Sequence, residues 1–164
     1  MTAFITSDPK RFNWQMIVVS SLAFWLSSSI LLDFVIMPSM FFTGMMVEPS
    51  FASAGYSLFG AFNHIEVLCA AVILTGAITL RLTQAAKFGG RQGTLLAIAL
   101  LAIALIYTYA LTPQMSALGL PLSLDFVKPP ALMNLMHGEY WALELLKLLA
   151  CGTLIKFCLR QNAG

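Results

Sequence analysis

Residues 131–158 read ALMNLMHGEYWALELLKLLACGTLIKFC, a run long and apolar enough to cross a membrane although ionisable side chains lie within it. At 100° per residue, one side of such a helix collects four residues within about 60° of one another: His137, Tyr140, Glu144 and Cys151. Lys147 lies just beside this stripe. Because ionisable groups at membrane depth are costly, they normally face protein, a cofactor or water. The stretch therefore predicts a membrane helix that turns a polar stripe towards the interior of a bundle.

The composition of the whole chain is that of a membrane protein. Of its 164 residues, 59% are hydrophobic and 10% are charged, and the mean hydropathy is +0.85. A soluble domain carries roughly 25% charged residues, so this chain belongs in a lipid bilayer. Its net charge of +2 is too small to indicate binding to nucleic acid. The three cysteines lie in apolar segments and are interpreted as small buried side chains rather than as disulfides.

Four apolar segments are each long enough to cross a bilayer, which takes roughly 20 residues. They cover residues 14–42, 57–80, 93–111 and 131–158. Glycine, proline and charged residues separate them, and residues 113–130 are predicted to form a link with room for a short interfacial helix. The sequence therefore predicts an all-α, four-transmembrane-helix bundle in a single domain.

The distribution of lysine and arginine predicts the orientation of these spans. Seven of these residues lie in the N-terminal tail, the connector between the second and third spans, and the C-terminal end. The two other links hold only Lys128. Since basic residues stay on the cytoplasmic side, both termini are predicted to be cytoplasmic.

A short pattern at the end of the first span recurs at the end of the third with a constant offset: Pro38, Met40 and Gly44 match Pro113, Met115 and Gly119. The second and fourth spans then carry His64 and His137, which are separated by nearly the same offset. Internal repeats of this kind are common in membrane proteins. The pattern predicts two tandem helical hairpins of the same orientation.

The two histidines are predicted to lie at equal depth, each roughly 10 Å in from the outer side of the membrane. Facing imidazoles in a bundle could occupy both axial positions of a b-type haem. Met40 and Met136 lie near the same face, and thioethers together with imidazole suit Cu(I). His64 and His137 are therefore the candidate ligands of haem b or copper. The alternative is that each histidine bonds a neighbouring group and only fixes the packing.

The other ionisable residues of the spans are candidate proton or charge partners: Asp33, Glu66, Glu139, Glu144 and Lys147. Glu144 and Lys147 are one turn apart near the bilayer midplane, which predicts an internal ion pair or one step of a proton path. Asp33 is expected in the same layer. Glu66 and Glu139 follow the histidines by two residues, so they face away from them, towards another helix, a partner or water.

The third span is expected to complete this layer with polar residues near its end. Tyr107, Thr108 and Tyr109 are the candidates. For Tyr109, a position in the aromatic belt at the membrane surface is the competing interpretation.

Residues 33–41, DFVIMPSMF, and residues 135–146, LMHGEYWALELL, resemble a known family. They are similar to the small four-helix membrane proteins related to transmembrane protein 205, which include the bacterial domain of unknown function 4149. In that family one span ends in a proline- and aromatic-rich stretch, and the last opens with Leu-His and a leucine-rich run. Here Met136 precedes His137, and Glu144 stands where the family more often has an uncharged residue. The resemblance covers most of the chain and implies the four-span fold.

The layout is also similar, more distantly, to the HemJ-type protoporphyrinogen oxidases and to the membrane domain of CopD, both small bundles with histidines in their helices. Three classes of function are therefore considered. The first is a redox protein that binds haem or copper through the two histidines. The second is a non-catalytic accessory or assembly subunit of a larger membrane complex. The third is a transporter-like protein for tolerance of metals or drugs, for which four short spans would need a homodimer.

Overall fold

The computed structural model describes residues 13–45, 50–83, 90–125 and 131–160, and within these ranges the backbone forms four long helices. Helix α1 joins α-helical Trp14–Leu31 and Met37–Phe42 through a π-helical turn, Leu32–Ile36. Helix α2 is Phe51–Thr83. Helix α3 joins Gly90–Ile106 and Thr112–Asp125 through a second π-helical turn, Tyr107–Leu111. Helix α4 is Ala131–Arg160. The all-α prediction is confirmed.

The four helices form a ring in chain order, and α4 closes it by packing on α1. Neighbours run antiparallel. Near the start of α1, Gln15 Nε2 donates to the carbonyl oxygen of Cys158 near the end of α4 at 2.7 Å. On the other side of the ring, Asn63 Nδ2 of α2 donates to Thr112 Oγ1 of α3 at 2.7 Å. Helices α2 and α4 therefore occupy opposite corners, as do α1 and α3.

The half of the bundle that holds the start of α1 has an apolar core drawn from all four helices. Buried members from each helix are Leu22, Ile73, Leu100 and Leu154. The outward faces are also apolar: Leu68 and Leu149 expose 66% and 69% of their surface. All three cysteines are free, with Cys151 and Cys158 buried and Cys69 partly buried, as predicted.

Three helical stretches are long and apolar enough to cross a membrane: Trp14–Phe42, Ser53–Thr83 and Gly90–Leu118. Helix α4 is of similar length but carries four charged residues before its last turn: Glu139, Glu144, Lys147 and Lys156. The fold is therefore that of an integral membrane bundle with three spans evident from length and composition. Of the basic residues that predict its orientation, Lys10, Arg11, Lys87 and Lys128 lie outside the described residues.

The predicted link over residues 113–130 does contain a helix, but this helix is not separate from the third span, because α3 continues through Pro113 to Asp125. Residues 126–130 lie outside the described ranges. A proline inside a regular α-helix clashes with the carbonyl group four residues earlier. Here a π-helical turn precedes Pro113 and widens the backbone at that point. Pro38 follows the π-helical turn of α1 in the same way. The two π-helical turns begin at Leu32 and Tyr107, which have the same separation in sequence as Pro38 and Pro113. The sequence repeat is therefore also a repeat of backbone structure.

Gly76 marks the closest approach of α2 to α1. A Cβ atom at this position would overlap the side chain of Val18, which is fully buried. Because a β-branched side chain in a helix has little freedom at χ1, Val18 cannot easily move aside. Gly76→Ala is therefore expected to destabilise the bundle by about 1–3 kcal/mol.

The measurement is thermal unfolding of the protein in mild detergent. Gly60→Ala is the matched control, because Gly60 lies on the same helix with open space around its missing Cβ. This variant is expected to unfold at or slightly above the wild-type temperature. Equal losses for the two variants would contradict the close contact at Gly76.

Candidate functional site

An ion triad crosses the interior of the bundle between α2 and α4. Lys147 Nζ lies 2.5 Å from Glu66 Oε1 and 2.7 Å from Glu144 Oε2. The three residues are at most 1% exposed. Since α2 and α4 occupy opposite corners of the ring, the Lys147–Glu66 contact spans the centre of the bundle. Breaking such a contact would leave a charge buried without its partner.

This triad lies near the middle of both helices. Glu66 is about 22 Å along α2 from Phe51, and Lys147 is about 24 Å along α4 from Ala131, at 1.5 Å per residue. The remaining lengths to the opposite ends are similar, about 26 Å and 20 Å. The charged groups are therefore far from either end of the bundle.

Helix α1 supplies neutral donors to Glu66. Trp25 Nε1 donates to Glu66 Oε1 at 2.7 Å, and Ser29 Oγ donates to the same oxygen at 3.5 Å. The Lys147 ammonium lies 5.9 Å from the centre of the Trp25 ring, within the range of a cation–π interaction. One oxygen of Glu66 thus accepts from three donors, contributed by α1 and α4.

Helix α3 joins the site through Tyr107, which is 1% exposed. Its hydroxyl group lies 3.2 Å from Glu144 Oε2 and 3.2 Å from the main-chain oxygen of Tyr140. The two tyrosine rings pack at 5.1 Å between centroids. Tyr107 therefore connects the triad to Tyr140, one turn earlier on α4.

Tyr140 extends this set of contacts to α1. Its hydroxyl donates to Asp33 Oδ1 at 2.6 Å, and Asp33 is only 3% exposed. All four helices thus contribute to one set of contacts, which we call the buried network: Trp25, Ser29, Asp33, Glu66, Tyr107, Tyr140, Glu144 and Lys147. Such a set of titratable groups inside a membrane bundle is typical of a functional site.

The buried network contains more acidic groups than basic groups. Three carboxyl groups, those of Asp33, Glu66 and Glu144, share the single ammonium group of Lys147. The remaining basic residues of the described ranges, Arg81, Arg91, Lys156 and Arg160, have exposed side chains. One oxygen of each buried carboxyl group, Asp33 Oδ2, Glu66 Oε2 and Glu144 Oε1, has no hydrogen-bond partner within the described residues. Unpaired charge in such surroundings is costly, so the network is suited to bind protons.

The structure brings together four of the predicted charge partners, Asp33, Glu66, Glu144 and Lys147. The predicted ion pair of Glu144 and Lys147 is confirmed. Glu66 faces another helix, one of its predicted alternatives, and pairs there with Lys147. The inward position expected of His64 is wrong, because of these two neighbours on α2 it is His64, not Glu66, that is exposed. Glu139 is exposed on α4, as predicted.

The histidines lie outside the buried network. His64 Nδ1 is 2.6 Å from the main-chain oxygen of Gly60, and His137 Nδ1 is 2.8 Å from that of Met133. Both side chains are exposed, on helices at opposite corners of the ring. The structure does not bring them together in one interior pocket, so His137 does not share the inward stripe of Tyr140 and Glu144.

The other predicted metal ligands differ from the two histidines in exposure. Met136 is buried and Met40 is partly buried. Across residues 13–45, 50–83, 90–125 and 131–160, no three His, Cys, Asp or Glu side chains are grouped so that they could hold a metal ion. A haem or copper site formed by His64 and His137 stays a prediction, which this placement does not favour.

Sequence reasoning missed the role of Trp25 and Ser29. They precede Asp33 by eight and four residues, a spacing that puts all three on one face of a helix. That face turns inward, since Trp25, Ser29 and Asp33 are all buried. The sequence therefore contained a pattern that indicates these residues: a stripe of polar and aromatic side chains along one face of α1, like the polar stripe predicted for α4.

The second hairpin holds a neutral counterpart of Asp33. Thr108 follows Tyr107 at the start of the second π-helical turn, just as Asp33 follows Leu32 in the first, and it is buried. Its hydroxyl donates to the main-chain oxygen of Ala104 at 2.7 Å and approaches that of Asn63 at 3.4 Å. The expectation that Tyr107 and Thr108 join the polar layer is confirmed, whereas Tyr109 is 71% exposed, as its competing interpretation requires.

Comparisons of the chain with protein-family models, with curated proteins and with solved structures found no match. The function proposed for this protein therefore rests on the buried network.

Proposed function

We propose that this chain is a four-span integral membrane protein that carries protons through the bilayer along its buried network. The observation that supports this most is one set of contacts to which all four helices contribute. Tyr140 bonds Asp33, the Tyr107 ring packs on the Tyr140 ring while its hydroxyl bonds Glu144, and Lys147 pairs with both Glu144 and Glu66. Carboxyl, phenol and ammonium groups can all accept and release protons. Chains of such groups inside membrane helices serve as proton relays in pumps and transporters.

The proposal includes α4 as the fourth span. Its 30 residues extend about 45 Å at 1.5 Å per residue, and it packs against α1 and α3 along the bundle. Its central charges, Glu144 and Lys147, are buried and paired. Glu139 and Lys156 lie nearer its ends and are exposed, so their side chains can reach the interface.

Two sequence-based predictions complete this picture. The resemblance to the proteins related to transmembrane protein 205 supports the four-span fold without naming a reaction. The distribution of lysine and arginine supports cytoplasmic termini. With this orientation, Asp33 and Tyr140 lie on the outer side of the triad, and protons from outside reach them first.

A purely structural role is the main rival of proton transfer. A buried ion pair is weak support for stability, because apolar residues of similar volume are often as stable or more stable. The numbers of acidic and basic groups are also unequal, with three carboxyl groups for one ammonium group, which a purely structural ion cluster does not require. Proton transfer accounts for both the surplus of acids and their link to two phenol groups.

The experiment is proton flux in vesicles loaded with a pH-sensitive dye, driven by a potassium gradient in the presence of valinomycin. Purified wild-type protein is expected to raise the initial rate above that of protein-free vesicles. Glu144→Gln is expected to lower this added rate by at least about tenfold, as when a positioned proton-transfer group is removed. The matched control, Glu139→Gln, changes an exposed carboxyl group on the same helix and is expected to keep the wild-type rate. A wild-type rate equal to that of protein-free vesicles would overturn the proposal.

Redox chemistry through His64 and His137 is a separate proposal with its own test. Since both side chains are exposed and bonded within their own helices, His64→Ala and His137→Ala are expected to leave proton flux within about twofold of wild type. A haem-binding protein would instead show a Soret band that either substitution removes. Proton flux that is lost together with such a band would contradict transfer along the buried network.

A further inference from the structure

We propose that the outward side of α4 binds a second copy of this chain, with His137 of each copy bonded to Glu139 of the other. This inference does not depend on the proposed proton transfer, because the whole buried network lies within one copy. It concerns the two polar residues of α4 that the buried network leaves on the outside of the bundle.

The side of α4 that faces away from the ring is apolar and contains small residues. At 100° per residue, four exposed residues lie within about 60° of one another on this side, and we call them the lipid face of α4: Gly138, Ala142, Leu145 and Leu149. Within the described residues, no atom lies within 4 Å of a Cβ atom built on Gly138. Small residues let the backbones of two membrane helices approach closely. The lipid face therefore permits a contact between helices without requiring one.

Two polar residues flank the lipid face at nearly the same depth. His137 and Glu139 precede and follow Gly138, so they project about 100° to either side of it and differ in depth by about 3 Å. Both are exposed. His137 uses Nδ1 to bond the main-chain oxygen of Met133, which leaves Nε2 without a partner in the described part of the chain. Glu139 has no polar partner there at all.

The depth of Glu139 makes an unpaired carboxyl group costly. It precedes Lys147 by eight residues and therefore lies about 12 Å from the triad, which is near the middle of the bundle. The hydrocarbon layer of a bilayer extends about 15 Å to each side of its centre. In a single copy the Glu139 side chain must therefore extend along the helix to reach water. Ionisable groups at such positions commonly pair with one another instead.

A two-fold axis along the membrane normal brings the two polar residues together. Copies of one chain insert with the same orientation, so this is the axis of a symmetric dimer. Rotation by 180° about it places the flank that carries His137 beside the flank of the other copy that carries Glu139. The same pair then forms on both sides of the axis, because such an interface is self-complementary. An imidazole and a carboxyl group form a hydrogen bond whichever of them holds the shared proton.

No other surface in the described ranges offers the same complement. Among the acidic side chains whose burial the structure describes, Glu139 is the only exposed one, and the others are buried: Asp33, Glu66 and Glu144. His64 is exposed as well. However, it lies two residues before Glu66, which contacts Lys147, and is thus about 9 Å deeper than Glu139. A contact of His64 with Glu139 would also join two different surfaces and would not close with two copies.

The first test is disulfide cross-linking of full-length protein at high dilution in lipid vesicles, with Cys69→Ala as background because the other two cysteines are buried. Ala142→Cys lies near the proposed axis and is expected to form cross-linked dimers in most of the protein. Ala61→Cys is the matched control, because Ala61 is exposed at a similar distance from the start of α2. It is expected to stay almost entirely monomeric. Ala142→Cys that cross-links no faster than Ala61→Cys would overturn the proposal and leave lipid on this face.

The second test measures association by fluorescence energy transfer between separately labelled copies in vesicles, as the protein-to-lipid ratio is varied. His137→Ala and Glu139→Ala are each expected to weaken association by about fivefold or more, since each removes two hydrogen bonds between membrane helices. His64→Ala, which removes the exposed imidazole of α2, is expected to stay within about twofold of wild type.

Exchanging the two residues tests the pairing itself. His137→Glu alone places carboxyl groups opposite each other and is expected to weaken association at least as much as His137→Ala. Adding Glu139→His restores opposite partners and is expected to return association to within about threefold of wild type. A double exchange that stays as weak as His137→Glu would overturn the pairing. Cross-linked Ala142→Cys with association unaffected by His137→Ala and Glu139→Ala would overturn it too, because packing alone would then hold the dimer.

Discussion

Replacing Lys147 with methionine is expected to destabilise the bundle by about 3–5 kcal/mol, the loss typical of removing one partner of a buried ion pair. The variant leaves Glu66 and Glu144 in the interior without the ammonium that lies 2.5 Å and 2.7 Å from them. Both carboxyl groups are at most 1% exposed, so water does not replace the lost ammonium in this arrangement. Methionine fills a similar volume, so the loss reports the charge rather than a cavity.

The measurement is the unfolding temperature of purified Lys147→Met in mild detergent. Lys156→Met is the matched control, because it removes an exposed lysine from the same helix and is expected to change the stability by less than about 0.5 kcal/mol. Adding Glu66→Gln and Glu144→Gln to Lys147→Met should restore most of the stability, since the triad then carries no charge. Equal stability of wild type and Lys147→Met would contradict the buried triad.

Trp25→Ala is expected to cost about 3–5 kcal/mol, the range for removing a large buried aromatic side chain. Trp25 is 1% exposed, packs in the apolar core and donates to Glu66 at 2.7 Å. The substitution therefore opens a cavity beside the triad and takes one of three donors from Glu66. Both effects act in the same direction.

Two further variants separate these effects in the same unfolding assay. Trp25→Phe keeps most of the ring volume but loses the indole N–H, and is expected to cost about 1.5–3 kcal/mol for a hydrogen bond to a charged group. Trp141→Ala removes a tryptophan that is 43% exposed on the outside of α4 and should cost clearly less than Trp25→Ala. A Trp141→Ala loss as large as that of Trp25→Ala would contradict the inward position of Trp25.

The architecture could be predicted from the sequence because it follows from hydropathy along single helices. A separation of one helical turn placed Glu144 and Lys147 on one face, and the cost of burying charge predicted their pairing. The same reasoning placed Asp33 in their layer. These inferences depend only on the period of a helix and on the cost of burying charge away from water.

Which side of α2 turns towards the interior of the bundle could not be predicted in this way. Helical geometry gives the angle between His64 and Glu66 but not which of them turns inward. His64 bonds the main-chain oxygen of Gly60 in its own helix, so its polar nitrogen does not need an interior partner. Glu66 cannot be satisfied within its own helix and instead bonds Lys147 and Trp25 across the bundle. The deciding contacts join residues 41 and 81 positions apart, which no local pattern contains.

The end of the third span was mispredicted for a related reason. Pro113 usually indicates a helix boundary, but the π-helical turn before it lets the backbone continue to Asp125. The same device precedes Pro38. The sequence repeat thus marks two matched irregular turns, and each of them carries a buried polar residue into the bundle.

The two hairpins use this shared backbone differently. The first places the ionisable Asp33 against Tyr140, whereas the second places the neutral Thr108 against Asn63. An ionisable side chain therefore occupies only one of the two equivalent positions.

Proton flux through vesicles that hold the variant with Glu66→Gln, Glu144→Gln and Lys147→Met together tests most directly whether the buried network carries protons. Because the three charges are removed as a set, this protein is expected to fold with a stability close to that of wild type. Its initial rate of proton entry is predicted to fall to that of protein-free vesicles, while Lys156→Met keeps the wild-type rate. A folded triple variant that transfers protons as fast as wild type would show that the network only supports the structure.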